Sequence, residues 1–549
     1  MHIDDQTYKS NGKTYRRVLL RNSYRVNGKV RHDTIASLCK CTDTEINAIK
    51  LALKHKDNLA ELINVRESLK SEQGLSVGAA WLLSQIAKKL GITKILGNSK
   101  QAKLVLWLII ATLIEQGSRL SATRLAKRHA ACDILRIEDG FNENELYLAM
   151  DWLKENQSNI EDKLFKFRYR NQVPNFYLYD VTSSYFEGQQ NELANFGYNR
   201  DKKSGKMQIV IGLMTDDDGS PITIEAFEGN TQDPKTVGSQ IKKMAYRFGV
   251  KKVTLVGDRG MIKNLQIKEL NDHYKFNYIT AITKPQIEKL INNGIIQLSF
   301  LDEEVTEVEE SGVRYVLRKN PVRADEIENG RQSKLAKIQK NVDKKNQYLK
   351  EHARAKVSTA EKEIRTKIEN LKIQKWLEIK TNNRTISIEI NEKQKQEESK
   401  FDGCYVVKTD LKKTDIDAKT IHDRYKGLAV VENAFRTMKT SFLEMRPIFV
   451  RKEERTKAHV FIIMLAYMIE HQLRKDWANI DITVREGIAE LSSISTVKIM
   501  LPGGISYQTI PSPNTIGKAL FKAAGVNLPT AIPVSNAIVY TKKNLISER

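Results

Sequence analysis

Cysteine is scarce in this chain: Cys39, Cys41, Cys132 and Cys404 are the only four in 549 residues. So few and so scattered a set excludes a disulfide framework and points to a reducing compartment. Cys39-Lys40-Cys41 with His32 nearby has the wrong spacing for a zinc knuckle, and no second pair follows. Long apolar runs are missing too. Residues 104–114 and 460–469 are the longest largely apolar stretches, and both fall short of the ~18–20 residues a bilayer span needs. They read as buried helices, and no membrane partner is expected. Met1-His2-Ile3-Asp4-Asp5-Gln6 has neither a basic nor an apolar signal region. The expected location is the cytoplasm of a bacterial or archaeal cell, in association with the nucleoid. No Gly-x4-Gly-Lys-Ser/Thr loop and no His-Glu-x2-His pair occurs, which disfavours nucleotide-driven motors and zinc hydrolases.

What the chain has in excess is positive charge. Its formal net charge is +23, with 40% hydrophobic residues. A packed core is therefore expected, and polyanion partners are favoured. The length predicts several domains or one core with large insertions.

Residues 13–38 alternate around Val26-Asn27-Gly28-Lys29, a hairpin signal. Its arms carry Arg16, Arg17, Arg21, Arg25, Lys29 and Arg31, which suit a solvated sheet face and a DNA-contacting module equally. Residues 43–72 read as charged helix and 76–170 as mostly helical. Within the latter, 118–128 forms a basic helix capped by Ser121, lying along DNA or facing water. From 176 the texture turns to strands: 176–186, then 208–214 and 222–228 joined by Asp216-Asp217-Asp218-Gly219. Asp233 reads as a helix N-cap with Pro234 as the first helical residue. A strand at 253–257, a helix at 261–271 and a strand at 278–282 complete a mixed, layered α/β sheet.

Residues 285–400 break that rhythm, with strand-like pieces at 313–317 and 385–390. Between 331 and 380 there are 15 Lys+Arg and 6 Asp+Glu, a net of 15 − 6 = +9. Leu335, Ile338 and Val342 answer Ile364, Ile368, Leu371 and Trp376 as the seam of an antiparallel helical hairpin. A capping box at Ser358-Thr359-Ala360-Glu361 would start its second helix. The charge favours DNA contact over a plain solvated surface. Strand texture returns at 403–408, and 446–450 is a further apolar run before a helix at 454–474. Turn signals at Pro502-Gly503-Gly504 and Pro511-Ser512-Pro513 punctuate the tail. The expected domains are 1–72, 73–170, a core in two parts at 171–284 and 401–475, an insertion at 285–400, and a C-terminal region at 476–549.

The residues that carry chemistry are acidic. Asp180 interrupts the apolar run Phe176-Tyr177-Leu178-Tyr179-Asp180-Val181, and a buried carboxylate there needs a partner or a metal. Asp258 closes Val253-Thr254-Leu255-Val256-Gly257-Asp258, before Arg259-Gly260; a plain Asp–Arg loop pair is the simpler account of it taken alone. Glu432 lies seven residues from both Tyr425 and Lys439. Seven residues is nearly two helical turns, so all three fall on one stripe of a single helix, with Leu428, Val431 and Phe435 facing the core. Two carboxylates at strand ends and one on a helix can hold a pair of divalent cations that clamp an in-line displacement at phosphorus.

Tyr-Asp-Val-Thr-Ser-Ser-Tyr-Phe-Glu-Gly (179–188), Val-Gly-Asp-Arg-Gly-Met (256–261) and Tyr-Lys-Gly-Leu-Ala-Val-Val-Glu-Asn-Ala-Phe-Arg-Thr-Met-Lys (425–439) resemble the three acidic motifs of insertion-sequence DDE transposases. The subgroup they look most like is the IS-four superfamily with its Tyr-x2-Arg-x3-Glu-x6-Lys signature. Tyr425, Glu432 and Lys439 match it in register, while Leu428 stands at the arginine position and Arg424 or Arg436 remains to supply a guanidinium. The resemblance covers about 176–470. It implies a ribonuclease-H-like mixed-sheet core of α/β class. The core would carry a large α+β insertion, between a helical N-terminal DNA-binding region and a helical C-terminal region. The 174 residues between the second aspartate and the glutamate (432 − 258) fit such an insertion. It further implies two Mg²⁺ ions, with Mn²⁺ as a substitute, held by Asp180, Asp258 and Glu432, and DNA contacts from Tyr425, Lys439, Arg436 and Arg259. The implied partners are double-stranded terminal inverted repeats and target DNA, gripped by a homodimer on paired ends. Two rival functions remain at this point: a catalytically silent DNA-binding regulator, and a metal-dependent nuclease without strand transfer.

Overall fold

The computed structural model describes residues 1–10, 12–57, 70–198, 200, 203, 205–250, 253–259, 261–271, 276–297, 305–439, 443, 445, 450–500, 506–535 and 537–541. Two compact units emerge: Met1–Ser76 with Ile494–Ser512 and Pro529–Ile532, and Val77–Ser493 with Pro513–Leu528 and Pro533–Arg549.

In the smaller unit, β1 (His2–Ser10), β2 (Lys13–Val26) and β3 (Lys29–Ser37) form an antiparallel sheet in that order. Asn27 and Gly28 join β2 to β3 with φ of 51° and 76°. Positive φ at both turn positions is the backbone twist that right-handed strands demand, and Asn-Gly adopts it at least cost. The helix Asp43–Lys54 follows, started by a capping box between Thr42 and Glu45. Val18 and Ile46 are buried. The helix expected over 43–72 is shorter than that: residues 58–69 lie outside the described set, and Lys70–Ser76 is a strand, β4. Its partner Ser495–Met500 comes from the far end of the chain and also pairs with Ser506–Thr509. Sequence patterning alone has no view of so remote a partner. The turn expected at 502–504 and all of the run at 446–450 but Val450 fall outside the described residues.

The larger unit is built on an eight-stranded mixed sheet of order β10-β11-β14-β9-β8-β5-β6-β7. Its strands are β5 (Phe176–Tyr185), β6 (Gln208–Thr215), β7 (Pro221–Phe227), β8 (Thr254–Gly257), β9 (Asn277–Ala281), β10 (Thr306–Glu310) and β11 (Val313–Lys319). The eighth is β14 (Cys404–Thr409); β12 (Leu377–Asn382) and β13 (Thr385–Ile390) form a separate pair. β5, β8 and β9 are parallel, and the remaining neighbours are antiparallel. The expected succession of three strands, helix, strand, helix, strand is present from β5 to β9. β10 and β11 come from the stretch expected as an insertion, yet they are hydrogen-bonded into this sheet through β14.

Alternation along β5 sorts its side chains. Tyr177, Tyr179 and Val181 join the cluster of Val237, Ile241 and Met244, from the helix Asp233–Lys242 and its π-helical continuation Lys243–Arg247, and of Phe248 just after it. Gln232, not Asp233, is the N-cap there, and Pro234 sits within the first turn. The opposite face, with Leu178, Asp180, Thr182 and Ser184, is the one that meets the helix Leu428–Lys439, as described below. Among the helices before the sheet, Lys100–Ile114 is buried almost throughout. The basic helix is Arg119–Ala126, capped by Ser118 and not Ser121: the Ser118 hydroxyl accepts the Ser121 N–H at 3.2 Å. Arg119 is buried and Arg124 exposed, so its charge is divided between interior and surface. No single helix among the described residues is long and apolar enough to cross a membrane.

The expected helical hairpin is present as Pro321–Glu351 and Val357–Asn370. Ile338 and Val342 meet Ile364, Ile368 and Trp376, and the seam extends to Leu377 and Ile386 of β12 and β13. Ser358 lies inside the second helix, whose N-cap is Lys356 without a side-chain bond.

Candidate active site

β5 and β8 run parallel with Tyr179 opposite Gly257. The pairing ends there: Asp180 and Asp258 each follow the last residue paired between the two strands, and the charge of Asp258 is felt by Asp180. Asp180 lies in the middle of β5 and not at its end, whereas Asp258 follows the last residue of β8. Asp180 is half-buried; Asp258 and Glu432 are exposed.

Glu432 rides on Leu428–Lys439, whose buried side is Leu428, Val431, Ala434, Phe435 and Met438. Those residues recur at three- and four-residue spacing, so the helix must lie on the sheet with Glu432 and Arg436 on its wetter side. The single stripe from Tyr425 to Lys439 is not observed. Ala418–Lys426 is a separate helix that stops at Gly427, so Tyr425 belongs to a different element from Glu432 and Lys439. The two helices are nevertheless anchored beside one another. Gly219, in the turn between β6 and β7, has φ +81°, and a Cβ there would meet Val430 Cγ1 at 2.2 Å. Only glycine permits so close an approach in that conformation. In the same turn Asp217 accepts from Arg424 Nη1 at 2.7 Å, and the Arg424 guanidinium lies 4.6 Å from the centre of the Phe176 ring.

Three contacts converge on the acidic residues. Tyr425 Oη donates to Asp258 Oδ1 at 3.2 Å, as does the Arg259 backbone N–H at 2.7 Å. Lys439 Nζ donates to Thr182 Oγ1 at 2.9 Å, two residues from Asp180 on the same strand face. Burial pushes the Asp180 carboxyl up to about 6; the Val181 N–H and the Arg200 guanidinium oppose the shift, and the negative charges of Glu432 and Asp258 add to it. Burial, then the neighbouring Asp258, raises the Tyr425 phenol and holds it neutral.

Tyr425 is thus bonded to Asp258 and Lys439 to Thr182, and the charges of Asp258 and Glu432 act on Asp180, with Arg259 next to Asp258 and Arg436 one turn beyond Glu432. Leu428, at the signature's arginine position, is buried. Two residues near the acids were not anticipated from the sequence. Thr182 was detectable, because period-two alternation puts it on the face of Asp180. Arg200 was not: it arrives from the loop between β5 and β6, tied by its N–H to Ser183 Oγ at 2.9 Å and by Nη2 to the Asp233 carboxylate.

Among the described residues no three His, Cys, Asp or Glu side chains are drawn into one metal cage. The donor set nonetheless suits a hard cation. Mg²⁺ takes carboxylate oxygen, and is held through one or two carboxylates, water and substrate phosphates instead of an all-protein cage. The negative charges of Asp258 and Glu432, which add to the rise of the Asp180 carboxyl, equally mark a place where positive charge is wanted.

Residues 171–469 match the family described as Transposase DDE domain, and residues 5–65 match the N-terminal domain of the IS1634 family transposase. No curated protein matches the chain. Among solved structures, a cryo-electron microscopy structure of a piggyBac transposase synaptic complex with hairpin DNA matches at 10% identity and a TM-score of 0.35, covering 72% of this chain and 70% of that one. At that TM-score the likeness carries no argument. The DDE-domain match holds more than half of the sequence, all three carboxylates included, and the chain belongs to the DDE-domain transposases.

Proposed function

We propose that this transposase cuts the ends of its own element and joins them to target DNA by metal-assisted phosphoryl transfer, with Asp180, Asp258 and Glu432 as the ligand set. The observation that carries the reading is the Asp180 carboxyl, raised first by burial, with the charges of both other carboxylates adding to the rise. Residues from β5, from the end of β8 and from a helix some 170 positions later share one electrostatic neighbourhood.

Two Mg²⁺ ions, or Mn²⁺, bound there would activate the attacking oxygen, water first and a DNA 3′-hydroxyl later, and steady the leaving one. The chain's own groups then have distinct tasks. Neutral Tyr425 donates a hydrogen bond and orients Asp258. Lys439 and Arg436 offer positive charge along the helix face for phosphates near the scissile bond, and Arg259 does the same beside Asp258. Catalysis would consist of positioning and charge stabilisation, without a covalent protein–DNA intermediate.

The core order β7-β6-β5-β8-β9, three antiparallel strands followed by two parallel ones, supports a ribonuclease-H-like assignment. Tyr425, Glu432 and Lys439 support placement in the IS-four superfamily, with Arg424 or Arg436 in the role left open by Leu428. Two ends must be held together for joining, and a two-fold dimer on paired ends is the simplest arrangement. The expected setting is the nucleoid of a bacterial or archaeal cell.

The test is incubation of the protein with Mg²⁺ and DNA carrying the flanks of its own gene, with the products mapped. Nicks or breaks at the element ends, followed by strand joining, are expected. Cutting without joining favours the nuclease, and binding without cutting the silent regulator.

A further inference from the structure

The tip of the β2–β3 hairpin stands clear of its own sheet. Pairing of β1 with β2 ends at His2 opposite Arg21, but β2 and β3 continue together from Asn22–Asp33 to Val26–Lys29. Beyond Arg21 the structure is therefore a two-stranded ribbon, and every residue from 22 to 34 is exposed. A bare two-stranded hairpin buries little and is marginal in water by itself. This one also displays apolar surface, with Tyr24 at 40%, Val26 at 41% and Val30 at 53% exposure. Its charges are Arg25, Lys29 and Arg31 against Asp33, whose carboxylate accepts from Tyr24 Oη at 3.2 Å.

Register places these charges on both sides. Arg25 is opposite Val30, and Tyr24 is opposite Arg31. Alternation then puts Arg25 on one face and Lys29 and Arg31 on the other. At its base the sheet is clamped to the helix Asp43–Lys54: Arg16 Nη1 is paired with Asp43, and Lys50 Nζ with Asp5 at 3.0 Å. The helix thus braces the root of the ribbon and leaves the tip free.

From this arrangement we infer that the β2–β3 tip, residues 22–34, enters the major groove of duplex DNA tip first, with Arg25 against one phosphate wall and Lys29 and Arg31 against the other. The inference rests on the reading of the chain as a DNA-acting transposase and assigns one gripping element within it. Two strands about 4.8 Å apart, with their side chains, match a groove about 12 Å wide that admits a two-stranded ribbon. Five paired residues at about 3.4 Å each reach beyond the groove's depth of about 8.5 Å. Cations on both faces suit a slot with phosphates on both sides. The exposed valines at the end of the ribbon suit the groove floor, where thymine methyl groups lie.

The experiment uses the full-length protein and a fluorescent 40-base-pair duplex taken from the flank of its own gene, with anisotropy read across a salt series. R25Q/R31Q should bind roughly tenfold or more weakly, and its slope of log K against log salt should flatten by about 1.8, from 0.9 for each phosphate that is no longer neutralised. K54Q/K56Q removes the same charge from the bracing helix region and should leave affinity and slope unchanged. Both arginines are exposed, so the melting temperature should hold; single R25Q and R31Q variants, each with about half the slope change, carry the test if the double variant melts low. Ribbon variants that bind like wild type overturn the inference while the transposase reading stands. Equal losses in the control pair, or displacement of the duplex by single-stranded RNA of the same length in preference to unlabelled duplex, also overturn it. A wild-type protein that neither binds nor cuts duplex DNA defeats the transposase reading itself.

Discussion

In the inserted hairpin of Pro321–Glu351 and Val357–Asn370, charge is met by charge. Lys345 reaches Glu363 at 2.5 Å, Arg365 reaches Glu361 at 2.8 Å, and Arg331 bridges Glu328 and Asp402. Below that surface an apolar seam closes around Trp376. Around Asp180 the arrangement is reversed. Three acidic side chains share a neighbourhood, one of them half-buried, and the Arg200 guanidinium that tempers Asp180 is itself paired with Asp233. The first region spends these acidic groups on its own architecture. The second leaves one carboxyl, Asp180, raised by burial with two further acids adding to the rise, which disfavours its charged form in the fold. A carboxyl perturbed by burial beside other acids is a functional-site candidate on physical grounds.

The comparison breaks first at the carboxylates. Asp180→Asn, Asp258→Asn and Glu432→Gln should each lower cleavage on the order of 10⁴-fold, non-additively, because the residues act as one unit. Duplex binding should stay within about threefold of wild type, since the basic surface that sets the electrostatic contribution to affinity is untouched. Product gels at matched protein–DNA occupancy measure both, and substantial Mg²⁺-dependent cutting by any variant removes its residue from the site.

The insertion should answer to a different substitution. Trp376→Ala empties a fully buried site and should cost about 3–5 kcal/mol of that region's stability. Denaturation followed by limited proteolysis of residues 321–390 reports the loss. A region that survives unchanged is not held by the seam.

The third expectation concerns pH. Asp180 is raised in the folded protein, from 3.8 to about 6. The folded state therefore holds that proton more tightly than the unfolded chain does. The associated stability is full below pH 3.8 and is lost as pH rises through about 6. Metal-free wild type should then be less stable at pH 7 than Asp180→Asn by about 2–3 kcal/mol. Millimolar Mg²⁺ should close most of that gap, by stabilising the wild type alone. Calorimetry at pH 4.5 and 7, with and without Mg²⁺, measures this; a gap that does not change with pH refutes the raised, burial-driven Asp180 carboxyl.

The smallest effect is expected on the hairpin surface. Lys334, Lys337 and Lys344 are exposed, and exchanging all three for Gln should flatten the salt slope by at most about 2.7 if all of them meet phosphates, from 0.9 for each one. Folding should be unaffected, and an unchanged slope leaves this face a solvated one.

Much of the layout was legible in the residues. Asn27-Gly28 dictated a hairpin because few other pairs accept positive φ twice in succession. The helix of Glu432 announced its buried side through Leu428, Val431 and Phe435, and the hairpin seam followed from Ile338, Val342, Ile364 and Ile368 at helical spacing. These are local signals: side-chain periodicity and backbone preference act within a few residues. The break at Gly427 was hidden, because a seven-residue spacing looks the same on one helix as across two. The partner of β4 was hidden as well, since it lies over 400 residues away.

The sequence by itself determined which side chains could do chemistry, because carboxylate, phenol and amine are fixed by residue type. Only the tertiary structure decided that the pairing of β5 with β8 ends just before Asp180 and Asp258, that the Asp216–Gly219 turn lodges against Val430 and Arg424, and that Arg200 acts on Asp180 from the loop between β5 and β6. Those relations depend on strand pairing and on packing at contact distance, and neither leaves a trace in the order of residues along the chain.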